Sequence, residues 1–288
     1  MANPVTDQPL PSLPPDNEQS EEEPSAETPD GSPTKKASVS SVHVHWAQLP
    51  ASLTLAGCPP GLEHLMDTDQ LIILQQLSVD KSVRWENSNK YKICNSSQQQ
   101  LFTATEESDA CSRITFGAHR GFMMGITDST GKEVIRVARP MKCCAHCCCC
   151  AQDTLCAHEI RVESPPGQLA AYIKQIKTWC DPEFRVLDFN HHTIFSIKGP
   201  PYCCIMQKIC CPEHISFRIK SPEGQEVGKI CKQWAGLSEI FSDADSLSVS
   251  FPLDLDVRLK AGLLGSLFLL DFMFFERKGR RKGNRFMR

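Results

Sequence analysis

The chain has 288 residues, of which 41% are hydrophobic, and this is enough for one large domain with a substantial core. Its formal net charge of −3 conceals an asymmetry, because residues 1–34 carry acids and no base whereas the far end is basic. The first 30 residues lack the apolar run of a secretory signal peptide, so we expect a cytosolic or nuclear body and exclude a disulfide framework for the sixteen cysteines.

Residues 1–50 are rich in Pro, Ser and Glu and poor in aromatic side chains. Such a segment cannot bury enough apolar surface to offset the entropy lost on ordering, so we predict a disordered tail. Within it, Pro11 and Pro14 fit the PxxP ligand of an SH3-type protein. That match arises easily in any proline-rich tail.

From residue 51 to residue 276, short alternating runs are separated by turn residues, which predicts a mainly β domain of antiparallel strands joined by hairpins. Residues 122–127 and 133–138 are one example. The run at 161–168 (RVESPPGQ) returns at 218–225 (RIKSPEGQ). A repeated hairpin is an economical way to close a barrel, and chance similarity between hairpins is the alternative.

A cysteine cluster follows the second of these strands, with Ala145 and His146 inside it. Its members are Cys143, Cys144, Cys147, Cys148, Cys149 and Cys150. Adjacent thiols in one loop suit multiple S-acylation, because stable membrane anchoring needs more than one acyl chain. Zinc ligation by Cys144 and Cys147 with His146 or His158 is a disfavoured alternative, since a structural zinc site wants two separated ligand pairs. Buried or redox-active thiols are the third.

Apolar residues occupy every second position from Leu247 to Leu259, which predicts a strand with one core face, and Pro252 suggests an edge or a bulge. Residues 261–275 (AGLLGSLFLLDFMFF) are apolar all round and predict a buried or membrane-inserted helix. Fifteen helical residues rise about 22 Å, short of the roughly 30 Å hydrocarbon core. We therefore expect this helix inside the barrel, with a tilted insertion as the alternative.

The tail at 277–288 carries seven bases and no acid, which is typical of a segment that contacts anionic lipid or nucleic acid. A merely solvated tail is the alternative. No phosphate-cradling glycine loop occurs, and His191 and His192 lie in a predicted turn without a paired carboxylate. We therefore predict no bond-making catalysis, so the protein is not expected to be an enzyme.

Several of these stretches together resemble the phospholipid scramblases over about residues 56–276. They are residues 57–63 (GCPPGLE), 89–91 (NKY), the cysteine cluster, 165–167 (PPG), 251–257 (FPLDLDV) and 271–276 (DFMFFE). The resemblance implies a tubby-like fold, a closed antiparallel barrel of about twelve strands around a hydrophobic C-terminal helix. It also implies calcium-dependent, ATP-independent, bidirectional movement of phospholipids between leaflets, on the cytoplasmic face of the plasma membrane.

The same resemblance points to a calcium segment at residues 243–254, with Asp243, Asp245 and Asp254 as candidate ligands of a weak Ca²⁺ site. Their spacing is that of positions 1, 3 and 12 of an EF-hand loop. The sixth position is Ser248 instead of glycine, and the twelfth is Asp instead of Glu, so an affinity near roughly 10⁻⁴–10⁻³ M is expected. The alternation across this segment favours a polar strand face instead.

The resemblance further suggests a nuclear-import segment at Gly228, Lys229, Lys232 and Trp234, with importin as the partner. A strand that ends in a packed tryptophan would show the same pattern, so a core hairpin is the alternative. The rival function is accordingly an acylated regulatory module that shuttles between membrane and nucleus. Such a module would bind proteins, lipid or DNA without itself moving lipid.

Overall fold

The structure is a computed structural model that describes residues 46–47, 58–76, 88–142, 151, 156–179, 181–201, 214–233 and 246–275. Both predicted tails, 1–50 except Trp46 and Ala47, and 277–288, lie outside these ranges. The described residues form one closed antiparallel barrel in which each strand pairs with the next and β1 pairs with β12. The predicted twelve-stranded barrel with a C-terminal helix inside it is therefore confirmed.

The helices and strands of the described residues are as follows. The strands are β1 Gln70–Gln76, β2 Lys90–Cys94, β3 Gln100–Glu107, β4 Phe122–Thr127, β5 Glu133–Arg139, β6 Glu159–Glu163, β7 Leu169–Ile176, β8 Glu183–Leu187, β9 Thr193–Lys198, β10 His214–Lys220, β11 Glu226–Gln233 and β12 Ser246–Ser250. The helices are α1 Ala110–Phe116, α2 Val257–Leu270, a π-helical turn Asp271–Phe275 that continues α2, and short 3₁₀ turns at Glu63–Leu65 and Gly117–His119.

Five connections are five-residue turns that share one geometry. In each, the first residue donates its N–H to the carbonyl of the fifth, the fourth has positive φ, and the strand register shifts beside the turn. This is a hairpin with a bulge at the residue of positive φ. The turns are 95–99, 128–132, 164–168, 188–192 and 221–225. The two copies of the predicted repeat are thus two of five equivalent hairpins.

Helix α2 lies inside the barrel and belongs to the same hydrophobic cluster as the inward side chains of the strands. Every residue from Lys260 to Leu270 is buried, which explains why this segment is apolar all round. Glycines allow the close approach to β6 and β7. A Cβ on Gly262 would lie 2.5 Å from Ala171 Cβ, and one on Gly265 would lie 2.4 Å from Val162 Cγ2.

Two sequence predictions about this region are wrong. The strand ends at Ser250 instead of continuing to Leu259, and the helix begins at Val257 instead of Ala261. Pro252 follows the strand and has no N–H for a ladder bond, while the Asp256 side chain accepts from Arg258 N at 2.7 Å and caps the helix. The period-two pattern therefore runs by coincidence across a turn and into the first helical turn.

Candidate functional site

The barrel has two different ends, because in a barrel of consecutive antiparallel strands the connections alternate between its ends. The five-residue turns all lie at one end, which we call the hairpin end. The six connections at the other end, which we call the long-loop end, are 77–89, 108–121, 140–158, 177–182, 199–213 and 234–245. Phe272 stacks on Phe122, the first residue of β4, with 4.1 Å between ring centroids. The chain therefore continues into its basic tail from the long-loop end.

Most predicted site residues lie outside the described residues, so their side chains have no structural account. The six cysteines belong to connection 140–158, and Asp243, Asp245 and Trp234 belong to connection 234–245. Both connections begin and end at the long-loop end. Pro11 and Pro14 lie outside the described residues as well. The predictions for acylation, SH3-type binding and nucleic-acid binding by the basic tail therefore stay predictions.

The third calcium candidate, Asp254, lies in the exposed turn between β12 and α2 at the hairpin end. Asp243 and Asp245 precede β12, and a five-residue strand rises about 16 Å. Within the described part of the chain, no three His, Cys, Asp or Glu side chains come together as a metal site. The calcium site stays a prediction. Because β12 separates Asp254 from Asp243 and Asp245, Asp254 should be tested separately from the other two aspartates.

Three of the import candidates lie on β11, paired with β10 and β12. Lys229 is exposed, whereas Lys232 is buried with its Nζ 3.8 Å from Asp271 Oδ1 and 5.4 Å from the Phe275 ring centroid. A Cβ on Gly228 would lie 2.1 Å from the Ser250 carbonyl oxygen, so the strand approach requires glycine. This is the arrangement of the core-hairpin alternative, and an import receptor could reach Lys232 only if β11 left the sheet.

Buried polar groups close the interior of the barrel at the long-loop end. Asp271 accepts a hydrogen bond from Tyr91 Oη at 3.0 Å, and the cavity beside this pair, which Lys232 also bounds, measures about 10 Å³. Nearby, Arg120 Nε lies 2.7 Å from Glu106 Oε1 in a fully buried ion pair. Burial alone would raise the pKa of Glu106, but the hydrogen bond and charge of Arg120 outweigh it and lower that pKa. Among the described residues, the interior at this end is closely packed around these buried groups.

The described residues line an open groove of about 570 Å³ on the outer face of the barrel. It begins at the long-loop end, where β5 and β6 pair only through Arg136–Ala138 and Arg161–Glu163 and separate beyond them. Apolar and polar side chains both reach into it. The lining residues are Glu107, Ser108, Asp109, Gly121, Phe122, Met123, Ala138, Arg139, Pro140, Glu159, Arg161 and Tyr172.

A hydrogen-bond network fixes the polar wall of the groove. Glu159 accepts from Lys142 Nζ at 2.9 Å and from the Tyr172 hydroxyl. Burial would raise the pKa of Glu159, but these two hydrogen bonds lower it, while burial and Glu159 together raise the pKa of Tyr172. His158, the alternative zinc ligand, is buried with its Nδ1 3.0 Å from an Arg139 nitrogen. The groove therefore has a rigid, charged wall.

Phe122, Met123, Ala138 and Pro140 contribute apolar surface to the same groove. The lining thus offers apolar surface for a chain beside the exposed charge of Arg161 for a headgroup, a combination that suits an amphiphile. Sequence reasoning missed this site. Several of its residues, such as Met123, Ala138 and Arg161, occupy neighbouring positions on adjacent strands, and nothing in the sequence pattern marks them as one site.

The chain is similar to known proteins over most of its length. It matches the Scramblase family at residues 50–277, a range that includes every described strand and helix. It is 42% identical over 233 residues to phospholipid scramblase 2 of Bos taurus, which covers 79% of this chain and 75% of that one. Phospholipid scramblase 1 of Homo sapiens is 42% identical over 236 residues, covering 80% and 70%. A solved X-ray structure of an Arabidopsis thaliana protein covers 72% and 94% at 13% identity, with a TM-score of 0.37.

Proposed function

Because the chain belongs to the Scramblase family, we propose that it associates with a membrane and moves phospholipids between the two leaflets. The observation that supports this proposal best is the contrast between the packed interior and the open outer groove. A headgroup that crosses the hydrocarbon core needs polar partners, since burying an unpaired charge or hydrogen-bonding group costs several kcal/mol or more. The described residues fill the interior with packed side chains, whereas the groove is open to the outside.

In this proposal the groove contacts one lipid at a time. Arg161 approaches the phosphate and Glu107 the cationic part of a zwitterionic headgroup, while the acyl chains stay in the surrounding hydrocarbon or along Met123 and Pro140. Neither direction of movement is favoured, because the groove changes the barrier and not the lipid composition of either leaflet. Movement is then bidirectional and independent of ATP.

The proposal includes attachment and calcium response at the long-loop end. Acyl chains on the cysteines of connection 140–158 hold this end at the cytoplasmic face, where the basic tail meets anionic lipid. Calcium at Asp243 and Asp245 neutralises their charge, so that anionic headgroups can approach. No contact in the described residues favours the rival shuttling module, since Lys232 of the import candidate is buried.

Transbilayer movement of a fluorescent phospholipid in vesicles that contain the purified full chain tests this proposal. We expect flux in the wild type that rises with calcium and needs no nucleotide. In Asp243→Asn/Asp245→Asn the calcium response should be lost, whereas Asp254→Asn, beyond β12, should keep it. Absence of flux in the wild type at any calcium concentration would contradict the function. If Asp243→Asn/Asp245→Asn keeps the calcium response of the wild type, only the proposed calcium trigger is contradicted.

A further inference from the structure

More of the large apolar side chains that the described residues expose lie at the long-loop end than at the hairpin end. Among the described residues, those at the long-loop end are Ile114, Phe116, Met123, Met141 and Trp179. Three others lie at the hairpin end: Phe189 in the turn 188–192, Leu253 in the turn before α2, and Trp46, which bridges to Gln100 at the start of β3. The long-loop set comes from three different connections and from β4, so it is not confined to a single loop, and Met123 also lines the groove.

Trp179 is the most exposed of these side chains. It lies in connection 177–182 with 90% of its surface accessible, and Lys177 two residues earlier is also exposed. A large aromatic ring that gains nothing from the core favours the membrane interface, where its body is apolar and its N–H stays wet. An adjacent lysine can meet lipid phosphates at the same depth.

Helix α1 adds a second exposed apolar element. It is a seven-residue helix in which no residue is buried, and the Asp109 side chain caps it by accepting from Ser112 N at 2.9 Å. A helix that contributes nothing to the core is marginal by itself, because short helices depend on tertiary packing for stability. Ile114 is 53% exposed and Phe116 is 43% exposed, so their apolar surface faces outward from the long-loop end. The helix is therefore suited to packing on something outside the barrel.

We propose that Ile114, Phe116, Met141 and Trp179 form a membrane-docking rim that enters the interfacial region of a bilayer without any acyl chain. Three observations favour a bilayer as the occupant. The residues border an end instead of lining a pocket, the seven-base tail continues from the same end, and the groove with Met123 opens there. Only the identification of the binding partner as lipid rests on the proposed function.

The charge at this end agrees with a bilayer that contains some anionic lipid. Acidic side chains such as Glu107 and Asp109 are present beside the rim, so the body of the barrel is not strongly attracted to negative charge. Apolar contact by the rim then carries most of the affinity, and the tail adds about 1 kcal/mol for each base held near an anionic surface. Binding should accordingly weaken with salt but persist.

Sedimentation of the full chain with vesicles tests the rim, in a background where the six cysteines of residues 143–150 are serine. The vesicles contain phosphatidylcholine with a minor share of phosphatidylserine. We expect Trp179→Ser to lower the partition coefficient roughly tenfold, and the fourfold variant Ile114→Ser/Phe116→Ser/Met141→Ser/Trp179→Ser to lower it further. The matched controls, Phe189→Ser and Leu253→Ser at the hairpin end, should bind as the background does. Circular dichroism checks that each variant folds.

Quenching by brominated lipid gives a second reading in a variant in which Trp46, Trp85 and Trp234 are phenylalanine, because all of the emission then comes from Trp179. Equal binding of the rim and control variants would overturn the rim, and this is also the result expected if the rim contacts a protein instead of lipid. The experiments can contradict the docking rim and the proposed lipid movement independently of each other. If vesicles bind the rim but no lipid moves, the proposed function is wrong and the rim stands. If lipid moves while the rim variants bind normally, the rim is wrong.

Discussion

The connections at the two ends of the barrel differ in length, backbone geometry and side-chain chemistry. At the hairpin end, one five-residue turn recurs five times, closed by backbone hydrogen bonds and a residue of positive φ. At the long-loop end, the connections differ in length and composition and carry the cluster of six cysteines, two of the three calcium candidates, helix α1 and Trp179. Backbone geometry makes the first end uniform, which leaves the second free to vary in chemistry. We infer that backbone geometry determines the hairpin end, whereas the long-loop end carries the groups that we propose to contact the membrane.

The two ends also hold α2 differently. At the hairpin end, Lys260 is fully buried and its Nζ donates to the carbonyl oxygens of Leu65, Thr68 and Leu253 at 2.8, 2.9 and 2.7 Å, with Met66 O at 3.3 Å. Burial lowers the pKa of Lys260, although nearby aspartates oppose this shift. At the long-loop end, side chains provide the polar contacts instead, because Asp271 accepts a hydrogen bond from Tyr91 and lies near Lys232.

The largest effect on stability is expected at the long-loop end, from the buried pair of Glu106 and Arg120. Glu106→Gln leaves the buried Arg120 charge without its carboxylate and should lower the free energy of unfolding by about 3–5 kcal/mol. Glu107→Gln, the exposed neighbour on β3, should change it by less than about 0.5 kcal/mol. Urea unfolding of the three proteins measures both differences.

The same pair predicts a dependence on pH with a defined sign. The pKa of Glu106 is lower in the folded than in the unfolded protein, so its contribution to stability is present above the unfolded value and is lost as the pH falls through the folded one. We expect the free energy of unfolding to decrease below about pH 4.5. In Glu106→Gln this decrease should be shallower. An identical acid profile in both proteins would show that other carboxylates dominate.

A smaller effect is expected at the hairpin end from Lys260→Met, which keeps the apolar stem but removes the donor to several carbonyl groups. The free energy of unfolding should fall by about 2–3 kcal/mol, since buried carbonyls lose their partner. Lys229→Met, at an exposed position on β11, is the matched control and should be nearly neutral. If Lys260→Met were as stable as wild type, the start of α2 would be held by packing alone and the contrast between the ends would weaken.

Much of this fold could be predicted from local patterns, because each hairpin encodes its own turn. Asp128 and Gly131, for example, mark one turn within a run of alternating residues, and the structure places the Asp128 side chain on Thr130 N at 2.8 Å. The end of β12 could not be predicted from the alternation, which continues past it. Pro252 and the capping residue Asp256 both indicated a break after β12, but the alternating pattern was given more weight in the prediction.

The candidate site was harder to predict than the fold, because it depends on long-range pairing. In the sequence, Lys260 suggested that the apolar helix begins after it, but the structure places Lys260 inside α2 and buried. Its ammonium group donates to carbonyl oxygens of a segment almost 200 residues earlier in the chain. Arg161 and Arg218 occupy equivalent positions of the repeated hairpin. Arg161 lines the groove, whereas Arg218 does not, although each strand pairs with the preceding strand over three positions. Nothing local in the sequence distinguishes the two arginines.

That equivalence provides the most direct test of the central claim, that lipid crosses along the outer groove. The measurement is the initial rate of fluorescent phospholipid movement in vesicles that contain equal amounts of wild type, Arg161→Glu or Arg218→Glu. Reversing the charge in the groove should slow movement at least about tenfold, a change of roughly 1.4 kcal/mol in the barrier, while the same change on β10 should leave the rate as in wild type. Equal rates in the two variants, or a slower rate for Arg218→Glu alone, would contradict the account.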